Sequence, residues 1–207
     1  MKKFLSSLFL LAVMAVMSVS AQSVACGVKG GVDYDFFSSD SPNIHGRYAW
    51  FVGPSVRLSL PSAPFAFDVS AFYKQRNIDL HGEDIWTKSI VIPVNARYNF
   101  KVKTKKNPEG NILFLAAGPQ YELNVGNEKF DGVGTSDFQL NKSSLSLNLS
   151  VGASLKHFEM GVAYKLGLSD IGESIDYAYD GLNGMTYQFE PATVKVNALT
   201  IFFAVYF

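Results

Sequence analysis

Cysteine is nearly missing from this chain of 207 residues: Cys26 stands alone, so no disulfide can form within it. The charge content is low, at 17%, and shows no excess of one sign, with 18 basic and 18 acidic residues. A nucleic-acid partner is therefore not expected, because phosphate binding draws on a basic surplus gathered on one face. Histidine is scarce as well, and its three positions belong to no H-E-x-x-H, paired-cysteine or EF-hand pattern, so no metal or cofactor site is expected. Long apolar runs are also lacking beyond the first, from Phe4 to Met17, which is shorter than the roughly 20 residues of a membrane-crossing helix.

That first run has another reading. Met1-Lys2-Lys3 precedes it and Val19-Ser20-Ala21 follows, the layout of a secretory signal cleaved after Ala21. The expected organisation is a signal peptide over 1–21 and one domain over 22–207. Losing Lys2 and Lys3 leaves 16 basic residues against 18 acidic, a formal charge of −2. Lipidation at Cys26 is the rival processing route, but Ser23-Val24-Ala25 lacks the leucine-like residue expected before a lipidated cysteine. Cys26 reads instead as a small apolar side chain in a first strand.

What the sequence does contain is alternation. From Ser144 to Lys156, Leu145, Leu147, Leu149, Val151, Ala153 and Leu155 interleave with serine, asparagine, glycine and lysine. Phe158, Met160, Val162, Tyr164, Leu166 and Leu168 repeat the pattern, and Lys156-His157 between the two runs leaves room only for a tight hairpin. The same period predicts eight strands, near 24–36, 47–60, 64–77, 87–101, 111–125, 143–156, 158–169 and 194–207. Connections alternate between long (37–46, 78–86, 126–142, 170–193) and short (Pro61-Ser62-Ala63, Val102 to Gly110, Lys156-His157). In an up-and-down barrel this order gathers the long loops at one rim.

A soluble barrel or sandwich alternates too, with its apolar set inside. Strands of about a dozen residues exceed the 5 to 6 of ordinary sheets and suit the 9 to 11 of a tilted membrane strand. The polar set mixes small residues with both charges: Gly27, Lys29, Gly31 and Asp33; Ser55 and Arg57; Asp68, Lys74 and Arg76; Arg97; Glu122; Glu159 and Lys165. Inside eight strands there is room only for side chains, so such a set predicts paired ions and hydrogen bonds rather than an open pore. Aromatics near strand ends, Tyr34, Tyr48, Trp50, Tyr73, Trp86, Tyr98, Phe100, Tyr121, Tyr206 and Phe207, are expected to form interfacial girdles. The expected fold is all-β, an eight-stranded antiparallel up-and-down transmembrane β-barrel. Its polar set should face inward and its last strand should pair with its first.

Several segments resemble the PorT-like outer-membrane β-barrel proteins of Bacteroidota. They are Gly27-Val28-Lys29-Gly30-Gly31-Val32, Ile92-Pro93-Val94 with Arg97-Tyr98-Asn99-Phe100, Ala117-Gly118-Pro119, and Ala163 to Ile171. The resemblance implies residence in the outer membrane, contact with its lipids, and insertion by the barrel-assembly machinery, with the terminal aromatic Phe207 as the assembly signal. It implies no known activity.

Candidate chemistry is sparse. His45 with Ser38, Ser39 and Asp40, or His81 with Glu83 and Asp84, could be drawn as a catalytic group on a loop rim, the basis of an alternative reading as a lipid- or peptide-directed enzyme. Loop serines and acids are too common for this to be preferred, and no catalysis is expected. Asp131-Gly132-Val133-Gly134 lacks the strand-to-helix context of a phosphate site and reads as a turn. The segment from Asp170 to Thr193 holds five acids and no lysine or arginine. Within it Asp176, Tyr177, Tyr179, Asp180 and Tyr187 form the candidate surface for an unknown protein or ligand; a solvated loop is the plainer alternative. The expected function is a structural or loop-mediated binding role in the outer membrane.

Overall fold

A computed structural model describes residues 23–39, 44–60, 63–80, 83–104, 107–126, 129–133, 136–180, 185–188 and 192–207. The expected signal segment over 1–21, its expected cleavage point after Ala21 and the domain boundary at Gln22 lie outside them.

The strands in chain order are β1 (Ser23–Ser39), β2 (Ile44–Ser59), β3 (Phe65–Ser70), β4 (Phe72–Leu80), β5 (Glu83–Thr104), β6 (Asn107–Asn124), β7 (Lys129–Val133), β8 (Ser136–Leu140), β9 (Ser143–Leu155), β10 (Phe158–Gly167), β11 (Gly172–Asp180), β12 (Met185–Gln188) and β13 (Ala192–Tyr206). Every pairing is antiparallel. The wall runs β1, β2, β3 with β4, β5, β6, β9, β10, β13, and closes where β13 returns to β1, from Gly27 opposite Tyr206 to Ser39 opposite Val194. This is an eight-stranded barrel, since β3 and β4 are two pieces of one wall strand. Closure leaves no edge in the wall, the condition for a sheet in hydrocarbon.

The break between β3 and β4 has a cause in the sequence. Ala71 donates its N–H to the Pro54 carbonyl at 3.0 Å, but proline has no N–H to return. The preceding residue is Gly53, and a Cβ there would stand 2.0 Å from the Ala71 carbonyl oxygen. Gly118-Pro119 repeats the device against Val94, whose oxygen would be 1.9 Å from a Cβ on Gly118. Glycine is needed at both steps because the opposing carbonyl lies where a Cβ would stand.

Polarity across the wall is inverted relative to a soluble barrel. Val162 and Tyr164 are 45% and 43% exposed, whereas Arg97 and Glu122 are 2% and 3% exposed in the interior. Leu149 faces outward as expected, and Arg57 and Asp68 inward. Aromatics form two tiers on the outside. Phe65, Tyr98 and Phe100 touch edge to face near the tight-turn end, at centroid distances of 5.1 and 4.7 Å. Tyr34, Phe36 and Tyr48, with Trp50 against Tyr73, form the tier at the other end. Trp86 and Tyr98 mark both tiers on β5; their separation in sequence corresponds to about 30 Å of height for a strand tilted by about 40°. That matches a hydrocarbon core with its flanks. Tyr206 departs from the girdle expected for it: it is buried in the lumen, where its hydroxyl meets Ser55 Oγ at 2.9 Å. It has the parity of Ala204 and Phe202, which sets its side chain inside.

The strands also outrun their expected ends. Instead of loops at 37–46 and 78–86, β1 continues to Ser39, β2 begins at Ile44, and β4 and β5 pair up to Leu80 opposite Glu83. The segments 126–142 and 170–193 contain β7, β8, β11 and β12. These carry the wall strands β6, β9, β10 and β13 beyond the apolar band, with β8 pairing β7 and β11, and β11 pairing β12 and β13. Above the membrane both faces of a ribbon meet water, so the apolar half of the alternation fades while the hydrogen-bonded ladder persists. Val102 to Gly110 is likewise no turn segment, since β5 extends to Thr104 and β6 starts at Asn107. At the tight Lys156-His157 turn, Lys156 takes a φ of 54°, a left-handed conformation that favours glycine.

Candidate functional site: the lumen and the hairpin rim

The barrel is filled from end to end in three layers. Nearest the tight turns, Arg57 and Arg97 share Asp68 and Glu159. Arg57 Nε donates to Asp68 Oδ1 at 2.7 Å and Nη2 to Glu159 Oε2 at 2.6 Å, while Arg97 Nη1 reaches Glu159 Oε2 at 2.6 Å and Asp68 Oδ2 at 3.3 Å. Each guanidinium also lies on an aromatic face, Arg57 over Tyr206 at 4.2 Å and Arg97 over Phe114 at 3.6 Å. Four wall segments, β2, β3, β5 and β10, are thereby tied across the lumen.

The middle layer is apolar, with Phe51, Phe72, Phe114 and Phe202 beside Val91, Ala116 and Ala163. Several of these rings lie over glycines directly opposite in the ladder. Phe114 faces Gly152 and Phe202 faces Gly161, and a Cβ on either glycine would come within 2.6 Å of the ring. Gly31 receives Phe51 in the same way. The glycine removes a side chain where the lumen must house a phenyl group, and the ring covers the backbone that the glycine bares.

The upper layer is ionic again. Arg76 bonds Asp35 Oδ2 at 2.6 Å and pairs with Glu122 Oε1 at 2.8 Å. Lys74 pairs with Asp33, whose other oxygen accepts from Thr200 at 2.6 Å, and Ser89 donates to Glu122 at 3.0 Å. Lys165 stands farther off, 3.9 Å from Asp35 and 3.7 Å from Glu122. Between this layer and the phenyl rings lies a cavity of about 40 Å³, bordered by Lys29, Asp33, Lys74, Asn148, Lys165 and Phe202 among others. Among the described residues both ionic layers span the lumen, above and below the phenyl rings.

Charges and serines of this interior were legible from their parity. The phenyl layer was overlooked, although its signal was the same: Phe51 shares parity with Ser55 and Arg57, Phe72 with Lys74 and Arg76, Phe114 with Glu122, and Phe202 with Thr200. None of these four is among the aromatics expected at the girdles, and all four lie on the polar face.

At the rim, the candidate binding residues lie on a β-hairpin rather than an irregular loop. Asp176, Tyr177, Tyr179 and Asp180 are on β11 and Tyr187 is on β12, where it pairs with Ala178. In register, Tyr177, Tyr179 and Asp180 pair with Gln188, Thr186 and Met185, so the five lie on the two strands of one hairpin. His45 falls on β2 opposite Asp79; His81 and Asp40 lie outside the described residues. His157 sits at the opposite end, with Nδ1 3.0 Å from the Tyr206 carbonyl oxygen. Among the described residues no cluster of His, Cys, Asp and Glu is arranged to hold a metal. Asp131-Gly132-Val133 lies in β7, not in a turn, and Gly134 is outside the described residues.

The sequence profile of the outer membrane protein beta-barrel domain matches residues 20–173. No curated protein gives a significant match. Among solved structures, the chain is similar to Neisserial surface protein A, at 14% identity and a TM-score of 0.47, over 89% of this chain and 99% of that one. It is also similar to the outer membrane protein OprG from Pseudomonas aeruginosa, at 13% identity and a TM-score of 0.44, over 90% and 95%.

Proposed function

The chain belongs to the outer membrane protein beta-barrel family, and on that premise we propose that it is a sealed barrel that acts through the hairpins it raises above the membrane. The filled lumen carries this reading. Two ionic layers and a phenyl layer leave no route for a solute, so the parts of the molecule free to meet a partner are the outer wall and the rim. The hairpin of β11 and β12, with Asp176, Tyr177, Tyr179, Asp180 and Tyr187, is the binding element for a protein or ligand at the cell surface. Barrel and lipid together hold it in place.

Processing and assembly complete the proposal. In this proposal cleavage after Ala21 leaves Gln22 first, the segments that resemble PorT-like proteins support membership of that branch, and Phe207 serves as the signal read by the barrel-assembly machinery. Phe207 is 82% exposed, and its N–H donates to the Cys26 carbonyl at 2.8 Å. Its ring contributes little to packing. Deleting Phe207 should therefore lower the amount of folded barrel in outer membranes far more than its unfolding temperature, both read by heat-modifiable gel mobility.

The binding role is tested by crosslinking on intact outer membranes, comparing the parent with a chain whose β11–β12 hairpin is replaced by a short turn. A specific crosslinked species that disappears with the hairpin is expected. An unchanged crosslinking pattern would overturn the role of the hairpin, and stepwise conductance of the parent in a planar bilayer would overturn the sealed lumen.

A further inference from the structure

We propose that the outer wall holds one anionic phospholipid from the leaflet at the tight-turn end. One acyl chain lies in a groove across β5, β6, β9 and β10, and the phosphate is drawn to lysines beyond the lower aromatic tier. The inference rests on the barrel's place in a membrane and is independent of the rim hairpin.

The groove comes from small residues in a register of larger ones. Ala96 and Ala117 lie opposite each other on β5 and β6, and both face outward. Along the same row of the ladder Leu149 and Tyr164 follow on β9 and β10, and the next row toward the tight turns carries Tyr98 and Leu115. All four of these larger side chains are exposed on the wall. The two methyl groups are thus the floor of an apolar groove of about 570 Å³. A chain lying in it touches protein on several sides at once, so many small dispersion contacts add up where a smooth wall would give few. One row nearer the tight turns, Ala153 stands between Leu113 and Met160, a second small residue on the way to that end.

Charge selects the leaflet and the headgroup. Tyr98 belongs to the lower aromatic tier, so the groove opens at the height where headgroups begin. Beyond it the stretch 101–110 holds four lysines and one glutamate, whereas Asp170 to Thr193, at the other end of the barrel, holds five acids and no lysine or arginine. Lys101 and Lys156 are exposed, three residues past Tyr98 on β5 and five past Val151 at the end of β9. On tilted strands this is about 8 and 13 Å of height, a range that long lysine stems span into a headgroup layer. The described carboxylates of that end, Asp68 and Glu159, are turned inward onto Arg57 and Arg97. The exposed charge left there is basic, and basic clusters beside a membrane attract anionic lipid. A second copy of the chain fits less well, because a two-fold contact through this groove would bring the lysines of both copies to the same height.

The test uses the whole refolded barrel in detergent, given equal amounts of phosphatidylglycerol and phosphatidylcholine with identical acyl chains, and reads retained lipid by native mass spectrometry. One phosphatidylglycerol should be retained, in excess over phosphatidylcholine by about fivefold for each lysine engaged. Lys101→Gln combined with Lys156→Gln should bring the two lipids toward equal retention. Ala117→Phe fills the floor from the lipid side and should lower retention of both, and Ala96→Leu is the milder second filling; heat-modifiable gel mobility shows that each variant is folded. Equal retention of the two lipids by the parent overturns the headgroup assignment, and undiminished retention in folded barrels of both filled variants overturns the groove. A two-chain species that disappears in Ala117→Phe would give the groove to a second copy and overturn the lipid.

Discussion

The two ionic layers of the lumen solve the same problem with different side chains. Near the tight turns, two arginines and two carboxylates form a closed set in which each cation touches both anions, with its shortest contacts at 2.6 and 2.7 Å. In the upper layer two of the three cations are lysines, and several contacts lengthen to between 3.5 and 3.9 Å. Atoms without a hydrogen bond are found there too, Asp35 Oδ1 and Asn77 Oδ1, against Glu159 Oε1 in the lower set. A guanidinium is a planar fork that can serve two carboxylates at fixed angles, whereas an ammonium is a point charge on a flexible stem. The lower layer is therefore a rigid tie between wall strands and the upper one a looser network with space beside it.

This contrast can be broken most directly at Glu159. Glu159→Ala leaves two buried guanidiniums with only Asp68, and should cost about 3–5 kcal/mol. Urea unfolding followed by the fluorescence of Trp50 and Trp86 measures it; a loss under about 1 kcal/mol would show the lower layer to be no tighter than the upper. The layer between them comes next. Gly152→Val drives a side chain against the Met160 carbonyl and into the Phe114 ring, on which Arg97 is stacked, at an expected cost of about 1–3 kcal/mol in the same assay. Pairing it with Phe114→Ala should recover part of the loss if the ring is the obstacle.

Smaller effects sharpen the comparison from the loose side. Lys165→Met leaves Asp35 and Glu122 with closer cations, so the loss should be about 1–2 kcal/mol, less than half that at Glu159. A larger loss would make Lys165 a tie of the lower kind. The smallest expected change is a gain. Lys156→Gly relieves a left-handed backbone at the turn below the arginine layer and should add about 0.5 kcal/mol, because glycine's greater freedom in the unfolded chain offsets part of the relief. The unfolding midpoint, compared with the parent, reads it.

Much of this architecture is written in the alternation of side chains. Strand number, the closure of β13 on β1, and the inward set from Arg57 to Lys165 follow from period two and from the mixture of charges on one face. Two kinds of feature were harder to read. The ribbons of β7, β8, β11 and β12 continue the wall in water, where a segment such as Glu173-Ser174-Ile175-Asp176 loses the strict apolar contrast that marks a membrane strand. Tyr206 was obscured by its type, since aromatic residues are expected at the membrane interfaces; parity, not chemistry, decides its side. The candidate rim residues fall on the two strands of one hairpin, and that pairing depends on a register that composition does not contain.

The facing of phenyl rings on glycines across the ladder also bears on how such a sequence can drift. A ring and its glycine share one volume, and the Val151 carbonyl crowds the same space: enlarging Gly161 requires both shrinking Phe202 and shifting that backbone, and losing Phe202 exposes two strands at once, because it lies opposite Gly31 as well as Gly161. Substitutions in these pairs should arise together in descendant sequences, as coupled columns of an alignment, while the outward residues beside them vary singly with any apolar side chain that lipid accepts.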